Sequence, residues 1–277
     1  MTTLLDERQF GEWIRDGYLL LKGFYDRELE ILPIQREIYK LISRVGDRLG
    51  KTIQEKHFSA DTFDDGLQLL LRDHPDEAAL VYDTVKKLPS YVSLTCSEKH
   101  FTLARKLLGS DMVAFAPRGY GMRMDHPYSD KYITQLHQDY TSQLGSPRGV
   151  VFWSPLRRVD RALGPVILFP GSHRLGILPI NLVGNDSYGL QLHDERELRT
   201  QFRQTSLEVE TGDLLIADYL LLHESSPNRS TKTRWAMIAR FFDLNEDIGM
   251  GYGWKGGLAD GNSFADVHPN LIRVREV

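Results

Sequence analysis

The sequence predicts a mainly β protein, a double-sheeted jelly roll whose N-terminal part is helical and supports the β-core. One indication is that apolar residues recur at helical spacing through most of residues 1–110. Another is the change at Met112, after which short apolar runs alternate with clusters of Gly, Pro, Asn and Asp. About eight short strands over roughly 130 residues are typical of a jelly roll and not of a parallel α/β sheet. We expect one domain over residues 1–277, with helical support at 1–110, a jelly-roll core at 111–244 and an irregular tail at 245–277.

The helical part divides into recognisable segments. Residues 6–16 are predicted to form an amphipathic helix, 18–24 a short strand, and 27–49 a long helix that Pro33 either kinks or begins. Residues 51–110 are mostly helical, with apolar stripes that belong to the core or to a dimer face. The apolar positions at helical spacing include Phe10, Trp13, Ile14, Leu67, Leu70, Leu71, Phe101, Ala104, Leu107 and Leu108.

The β-core is predicted from short apolar runs that turn residues separate. The candidate strands are residues 113–116, 121–124, 133–137, 149–155, 165–169, 206–209, 214–218 and 234–242. Residues 190–202 are rich in charge, so we expect an inserted helix or a lid over the sheet there.

The composition narrows the classes of partner. The net charge is −4 and the pI about 6.1, which gives no indication of nucleic acid or an anionic membrane as a partner. No long uninterrupted apolar run and no basic leader followed by one is present, so a cytoplasmic protein is expected. The modestly acidic pI and the lack of an evident docking patch for an acyl carrier favour a small-molecule substrate. Cys96 is the only cysteine, which excludes an intrachain disulfide, and we expect it to be an inert buried thiol.

His137 and Asp139 form a His-x-Asp pair in the third candidate strand and just beyond it. In an extended strand, residues i and i+2 project from one face, so both side chains can bind the same cation. His223, at the end of a strongly apolar run, can supply a third ligand. Two imidazoles and one carboxylate make the facial triad of non-haem Fe(II) oxygenases, which leaves coordination positions open. The pair alone occurs by chance in many chains, and a lone histidine in an apolar context is usually a core residue.

Arg234 opens the next strand, eleven residues after His223. By alternation it shares one strand face with Ala236, Ile238 and Arg240. A guanidinium that enters a barrel interior needs an anionic partner, because an unpaired buried charge is costly. A dicarboxylic acid cosubstrate would supply that partner and could be held by two hydrogen bonds.

Four motifs in the same order resemble those of the phytanoyl-CoA dioxygenase-like Fe(II)/2-oxoglutarate oxygenases. The first is the opening segment 10–24, with Phe10, Gly17 and Gly23-Phe24. The second is His137-Gln138-Asp139, and the third the Pro-Gly-Ser-His turn at 170–173. The fourth is His223-x-Ser225-x-x-Asn228-x-Ser230 followed by Arg234. The resemblance covers most of the chain, with motifs from Phe10 to Arg234.

The resemblance implies a double-stranded β-helix of the cupin-like type, and oxidation of a substrate with Fe(II), 2-oxoglutarate and O2. It implies that His137, Asp139 and His223 bind the iron, with no catalytic residue beyond these ligands. It also implies a cosubstrate site in which Arg234 pairs with the distal carboxylate of 2-oxoglutarate. The residues expected to assist there are Ser225 (a hydrogen bond), Arg123 (a polar contact) and Trp153 (a core strand near the site).

The substrate does not transfer from any relative. The chain departs from the family at 161–164 and at Leu136, where a tryptophan is common, and both places are expected near the substrate. Arg157, Arg158, Arg161 and Arg174 could bind an anionic substrate group, or could form a solvated face.

Hydroxylation of a small metabolite, with release of succinate and CO2, is the leading interpretation. Desaturation, cyclisation or epimerisation are alternatives, because all begin with the same hydrogen abstraction. A non-catalytic binding protein of the same fold would have lost a metal ligand or the arginine, and neither is lost. A jelly-roll metal enzyme without cosubstrate would give no reason for Arg234.

Overall fold

The computed structural model describes residues 5–53, 57–116, 121–130, 133–182 and 190–273. Its N-terminal part is helical, as predicted. The elements there are α1 (Glu7–Asp16), β1 (Tyr18–Leu21), a π-helical turn (Arg27–Ile31), α2 (Leu32–Arg48), α3 (Leu67–Asp73), α4 (Pro75–Val85), α5 (Pro89–Thr95) and α6 (Glu98–Leu108). None of the helices within these ranges has the length and apolar character needed to cross a bilayer.

Local sequence signals account for several of these helix ends. The Asp6 side chain accepts a hydrogen bond from the Gln9 N–H, and the Gln9 side chain accepts one from the Asp6 N–H, which completes a capping box. Gly17 follows α1 in a left-handed conformation (φ 73°) that glycine adopts without strain. Pro33 lies in the first turn of α2, so it marks the start of that helix.

The rest of the described chain is built from short strands with short helices between them. The strands are β2 (Val113–Phe115), β3 (Gly121–Asp125), β4 (Gly149–Pro155), β5 (Val166–Leu168), β6 (Ile180–Leu182), β7 (Leu190–Leu192), β8 (Thr205–Ser206), β9 (Leu214–Asp218), β10 (His223–Ser225), β11 (Arg234–Asp243) and β12 (Ile272–Arg273). The helices are α7 (Tyr140–Gln143), α8 (Glu195–Gln201), α9 (Asp247–Gly251) and α10 (Phe264–Val267), with 3-10 turns at Ser172–Leu175, Leu258–Asp260 and Pro269–Leu271.

Two antiparallel sheets form the β-core. The larger has the order β1-β9-β4-β11-β2, and β3 also pairs with β11. The smaller has the order β10-β5-β8. A third small sheet joins β7, β6 and β12, in which β12 runs parallel to β6.

Alternation along the strands of the larger sheet buries both of its faces. On β4, Val150 and Phe152 pack with the N-terminal helices, whereas Val151 and Trp153 belong to the core inside the β-structure. β9 and β11 divide their residues between the same two cores. Because successive side chains of a strand point to opposite faces, this pattern places the helices behind the sheet and a cavity in front of it.

Three predicted strands are shorter or absent. Residues 133–137 are not a strand: this segment runs beside β10 and meets it only where His137 pairs with His223 and where the Thr134 carbonyl accepts from the Ser225 N–H. The segment predicted at 18–24 ends at Leu21, because the chain turns at Gly23 (φ 61°). The segment predicted at 206–209 pairs only at Thr205–Ser206 and, separately, at Val209.

Of the other predictions, some are confirmed and some are wrong. The predicted inserted helix lies in 190–202 as α8, after the short strand β7. The tail is not wholly irregular, since α9, α10 and β12 lie in it. Cys96 is exposed and not buried, because it follows the last residue of α5 at a turn. On α1 only Trp13 is buried, whereas Phe10 and Ile14 are 36% and 56% exposed.

His100, on α6, lies between the helices and the larger sheet and is 2% exposed. Its Nδ1 lies 3.2 Å from the Thr95 carbonyl oxygen, which can only accept, so Nδ1 carries the proton. Its Nε2 therefore accepts from the Tyr25 hydroxyl at 2.7 Å. Burial lowers the pKa of His100 to about 4.

We predict that His100 makes the protein less stable in mild acid. Below pH ~6.5 the unfolded chain binds a proton at this residue that the folded chain does not bind until pH ~4. The free energy of unfolding should therefore fall by about 3 kcal/mol across this window as the pH is lowered. His100→Phe should remove this part of the slope, measured by urea unfolding between pH 4 and 7. An identical slope in the variant and the wild type would contradict the prediction.

Candidate metal centre

His137 and His223 meet through their backbones. Each donates its N–H to the carbonyl of the other at 3.1 Å, an antiparallel bridge between the segment before α7 and the start of β10. The two imidazole rings lie beside each other, with centroids 4.2 Å apart. A tertiary contact thus brings together two histidines that are far apart in the sequence.

Backbone carbonyls orient both rings. His137 Nδ1 donates to the Gln135 carbonyl at 2.8 Å, and His223 Nδ1 donates to the Leu221 carbonyl at 3.0 Å. Since a carbonyl only accepts, each Nδ1 carries the proton of the neutral ring and each Nε2 keeps its lone pair. Both Nε2 atoms face Asp139, as metal-binding nitrogens would.

Asp139 reaches the rings by a route that differs from the predicted one. It has helical backbone angles (φ −58°, ψ −36°) and directly precedes α7, so His137 and Asp139 do not share the face of a strand. The residue between them, Gln138, is fully buried and bonds three backbone groups. Its amide nitrogen donates to the carbonyls of Gly176 and Leu220, and its oxygen accepts from the N–H of Leu178. This anchor fixes the turn that directs Asp139 towards the rings.

The three side chains fit a divalent cation. Asp139 Oδ1 lies 3.9 Å from His137 Nε2, and Oδ2 lies 4.0 Å from His223 Nε2. One ligand atom from each residue lies within 4.8 Å of the others, so ligand bonds of about 2.0–2.2 Å need the three side chains to move closer together. Asp139 Oδ2 is buried and has no hydrogen-bond partner. A buried carboxylate oxygen without a partner is costly, and a metal ion would remove that cost.

The charge states also suit metal binding. Burial and the neighbouring His223 lower the pKa of His137 to about 3. Burial would raise the pKa of Asp139, but Arg240 and the two imidazoles outweigh it and hold this pKa well below its usual range. At neutral pH, His137 is therefore neutral and Asp139 ionised, which are the forms that bind a metal.

A cavity of about 80 Å³, partly open to solvent, lies over this cluster. The structure brings all the site residues predicted from the sequence to its wall: Arg123, His137, Asp139, Trp153, His223, Ser225 and Arg234. Further wall residues are Thr134, Val151, Val166, Leu168, Leu215, Ala217, Ile238 and Arg240. The cavity is thus lined by apolar side chains, with the charged groups concentrated at the metal cluster and on β3 and β11.

Arg234 already has an anionic partner within the protein, in addition to the one that a dicarboxylic acid cosubstrate was expected to supply. It is 2% exposed, and its Nη2 lies 2.8 Å from Asp125 Oδ2, directly opposite on β3. Arg123 shares the same carboxylate, with its Nη2 2.9 Å from Asp125 Oδ1. Two guanidinium groups on one carboxylate leave an excess positive charge in this wall, which an added anion can balance.

Two further predicted residues, Ser225 and Trp153, line the same cavity. Ser225 is on β10, two residues after His223, and its side chain faces the cavity. Trp153 is on β4, opposite Leu215 of β9 and Ile238 of β11. Both residues stand on paired strands, so the wall that they form is rigid.

The sequence did not predict a role at the site for four further residues, which are Arg240, Asp125, Thr134 and Gln138. Arg240 shares a strand face with Arg234, so the alternation already indicated that it enters the interior. Asp125 follows Arg123 by two residues and is on the same face of β3 for the same reason. Nothing in the local sequence signals Thr134.

The arginine cluster suggested as an anion site is divided among other partners. Arg157 pairs with Asp64 and lies over the Phe63 ring. Arg158 pairs with Glu208 at 2.9 Å on the surface. The exposed Arg158 pair agrees with the solvated-face interpretation, whereas Arg157 is largely buried beside Asp64, with 13% of its side chain exposed.

His173 is also a packing residue. Its ring lies against Gly17, where an added Cβ would come within 2.3 Å of Nδ1. This contact explains the glycine and gives His173 a packing role in the turn at 170–173.

Several known proteins are similar to this chain in sequence. The model of the family described as "Phytanoyl-CoA dioxygenase (PhyH)" matches residues 13–236. The peroxisomal phytanoyl-CoA dioxygenase of Bos taurus is 29% identical over 257 residues, which cover 87% of this chain and 69% of the relative. The 1-deoxypentalenic acid 11-beta-hydroxylase of Streptomyces arenae is 25% identical over 83% of this chain and 78% of its own length.

Solved structures support the fold. The epimerase SnoN, in complex with Fe3+, alpha ketoglutarate and nogalamycin RO, has a TM-score of 0.56 at 16% identity, covering 86% of this chain and 83% of its own. EctD from S. alaskensis with bound Fe also has a TM-score of 0.56, at 17% identity and with 88% and 79% of the two chains covered. The expected cupin-like jelly roll is thereby confirmed. The family match spans most of the chain, so this protein belongs to the phytanoyl-CoA dioxygenase family of Fe(II)- and 2-oxoglutarate-dependent oxygenases.

Proposed function

We propose that His137, Asp139 and His223 bind Fe(II), that Arg234 binds 2-oxoglutarate, and that the enzyme hydroxylates a small-molecule metabolite. The observation that carries this proposal is the convergence of two oriented Nε2 atoms on Asp139, whose buried Oδ2 has no hydrogen-bond partner. A site with only three protein ligands leaves coordination positions for cosubstrate and oxygen.

When bound, Fe(II) and 2-oxoglutarate supply the oxidising chemistry, in which O2 is consumed and succinate and CO2 are released. The chain's own residues bind, orient and exclude water. Val151, Leu168 and Leu215 make the wall apolar, which strengthens electrostatic contacts inside the cavity.

Arg234 is the proposed anchor for the distal carboxylate of 2-oxoglutarate. It stands in the cavity wall, where one carboxylate, Asp125, serves both it and Arg123. An incoming carboxylate would therefore meet net positive charge. Both Ser225 and Trp153 line this cavity, so we expect Ser225 to add a hydrogen bond and Trp153 to form part of the pocket wall.

A small metabolite, converted in a biosynthetic step in the cytoplasm, agrees with the modestly acidic pI of the chain. Epimerisation or cyclisation is a second candidate outcome, because solved structures of similar fold include the epimerase SnoN and the carbocyclase SnoK.

The experiment is a screen of small metabolites for succinate release with Fe(II), 2-oxoglutarate and air. Product mass then sorts the outcomes: one added oxygen for hydroxylation, two lost hydrogens for desaturation or cyclisation, and no change for epimerisation. His223→Ala is the control, because any succinate that forms with this variant does not come from the proposed metal site. Equal succinate release by the variant and the wild type, with every metabolite, would contradict the proposal.

We predict that His223→Ala abolishes stoichiometric iron binding. Loss of one of three protein ligands should weaken the metal affinity by at least about 100-fold, since loss of an outer partner alone costs 10–100-fold. The measurement is anaerobic dialysis with Fe(II) followed by metal analysis. His193→Ala is a matched control, because His193 lies outside this cavity and contacts Asn181. Retention of the metal by His223→Ala would show that the third ligand is wrongly assigned.

We predict that Arg234→Ala weakens 2-oxoglutarate binding by roughly two to three decades, because removing one partner of a buried ion pair costs about 3–5 kcal/mol. Iron should still bind. The charge-transfer band of the anaerobic Fe(II) complex, titrated with 2-oxoglutarate, measures the affinity. Arg229→Ala is the control, since Arg229 forms an equally close pair with Asp130 on the surface. An unchanged affinity in Arg234→Ala would exclude the role.

A further inference from the structure

Arg240 extends from β11 to one of the proposed metal ligands. It stands six residues after Arg234 on the same strand face, and its Nη2 lies 2.9 Å from Asp139 Oδ1. Its neighbour on β4 is Val151, which also lines the cavity. The strand therefore presents two arginines to one cavity, and their carboxylate partners differ: Asp125 for Arg234 and Asp139 for Arg240.

The ion pair makes the two oxygens of Asp139 unequal. Oδ1 receives the charge-assisted hydrogen bond from Arg240, whereas Oδ2 is buried without a hydrogen-bond partner and lies 4.0 Å from His223 Nε2. A guanidinium bound to one oxygen also restrains rotation of the carboxylate, because the bond is short and directional.

This inequality matters for a metal, since a carboxylate can bind a cation through one oxygen or through both. Binding through both would occupy one more coordination position, and a three-ligand oxygenase site needs its remaining positions for cosubstrate and oxygen. An oxygen that already accepts from a guanidinium is a poor second donor to a cation.

We propose that Arg240 is a positioning residue that makes Asp139 bind the metal through Oδ2 alone. It thereby keeps a coordination position open for 2-oxoglutarate. This inference rests on the proposed function of the His137, Asp139 and His223 cluster. It concerns the geometry of the carboxylate, not a direct contact of Arg240 with the cosubstrate.

The test uses the full chain loaded with Co(II), which replaces Fe(II) without oxidation by air. X-ray absorption measures whether the carboxylate binds through one oxygen or two, and a 2-oxoglutarate titration measures the Kd of the loaded protein. In the wild type we expect binding through one oxygen. In Arg240→Met we expect binding through two, with a Kd for 2-oxoglutarate raised at least about tenfold, the lower end of what loss of an outer partner costs. Arg240→Lys, which keeps a charged donor, should retain one-oxygen binding and recover part of the affinity.

Arg148→Met is the matched control. Arg148 pairs with Asp243, at the other end of β11 from Arg234, with Nη1 3.1 Å from Oδ2. This variant also loses an arginine–aspartate pair on the strand, but outside the cavity, and should keep the wild-type coordination and Kd. The same change in Arg148→Met as in Arg240→Met would reduce the effect to general loosening of the strand and overturn the proposal.

Two other results would overturn it. Two-oxygen binding in the wild type contradicts it directly, without any variant having to fold. One-oxygen binding in Arg240→Met contradicts it as well, and a weakened 2-oxoglutarate affinity in that case would mean that Arg240 contacts the cosubstrate itself. If instead His137→Ala binds Co(II) as tightly as the wild type, the metal site proposed above fails, and this inference fails with it.

Discussion

Reciprocal backbone hydrogen bonds between His137 and His223 fix the position of these two histidines relative to each other. They join the segment before α7 to β10 at a single residue pair, and both partners are proposed metal ligands. Without that bridge, the carbonyls of Gln135 and Leu221 would still orient each ring, but the two Nε2 atoms would have no fixed separation. Gln138 strengthens the arrangement, because its buried amide bonds the Leu220 carbonyl close to His223. The backbone thus sets the geometry of the proposed metal site.

Charge compensation is the second constraint on the cavity. Asp139 lies with Arg240 and two imidazoles, and Asp125 lies with Arg123 and Arg234. Unpaired charges in such a wall would be costly, so each carboxylate is matched by at least one guanidinium. The balance is uneven, with three arginines against two aspartates. A divalent cation at Asp139 adds to the positive side, and dianionic 2-oxoglutarate is the kind of ligand that offsets it.

Much of the site could be predicted from the sequence because its signals are local. His137-Gln138-Asp139 and the eleven-residue interval from His223 to Arg234 are short patterns, and all the residues assigned from them line one cavity. The predictions that were wrong concern features that depend on contacts between distant parts of the chain. The helical turn at Asp139 is fixed by Gln138, whose partners lie some forty and eighty residues away.

The pairing of Arg234 with Asp125 follows from the register of β11 on β3, and a single sequence does not state which strands are neighbours. The strand predicted at 133–137 failed for a related reason. Its apolar pattern is genuine, but the segment meets β10 at two points only and forms no continuous ladder.

The central claim is that one cavity binds iron through these three side chains and 2-oxoglutarate through Arg234. A crystal structure of the anaerobic Fe(II)–2-oxoglutarate complex, with anomalous diffraction at the iron edge, measures this most directly. We expect one strong iron peak between His137 Nε2, His223 Nε2 and Asp139, with the distal carboxylate of 2-oxoglutarate on Arg234. An iron peak elsewhere, or 2-oxoglutarate bound without contact to Arg234, would contradict the account.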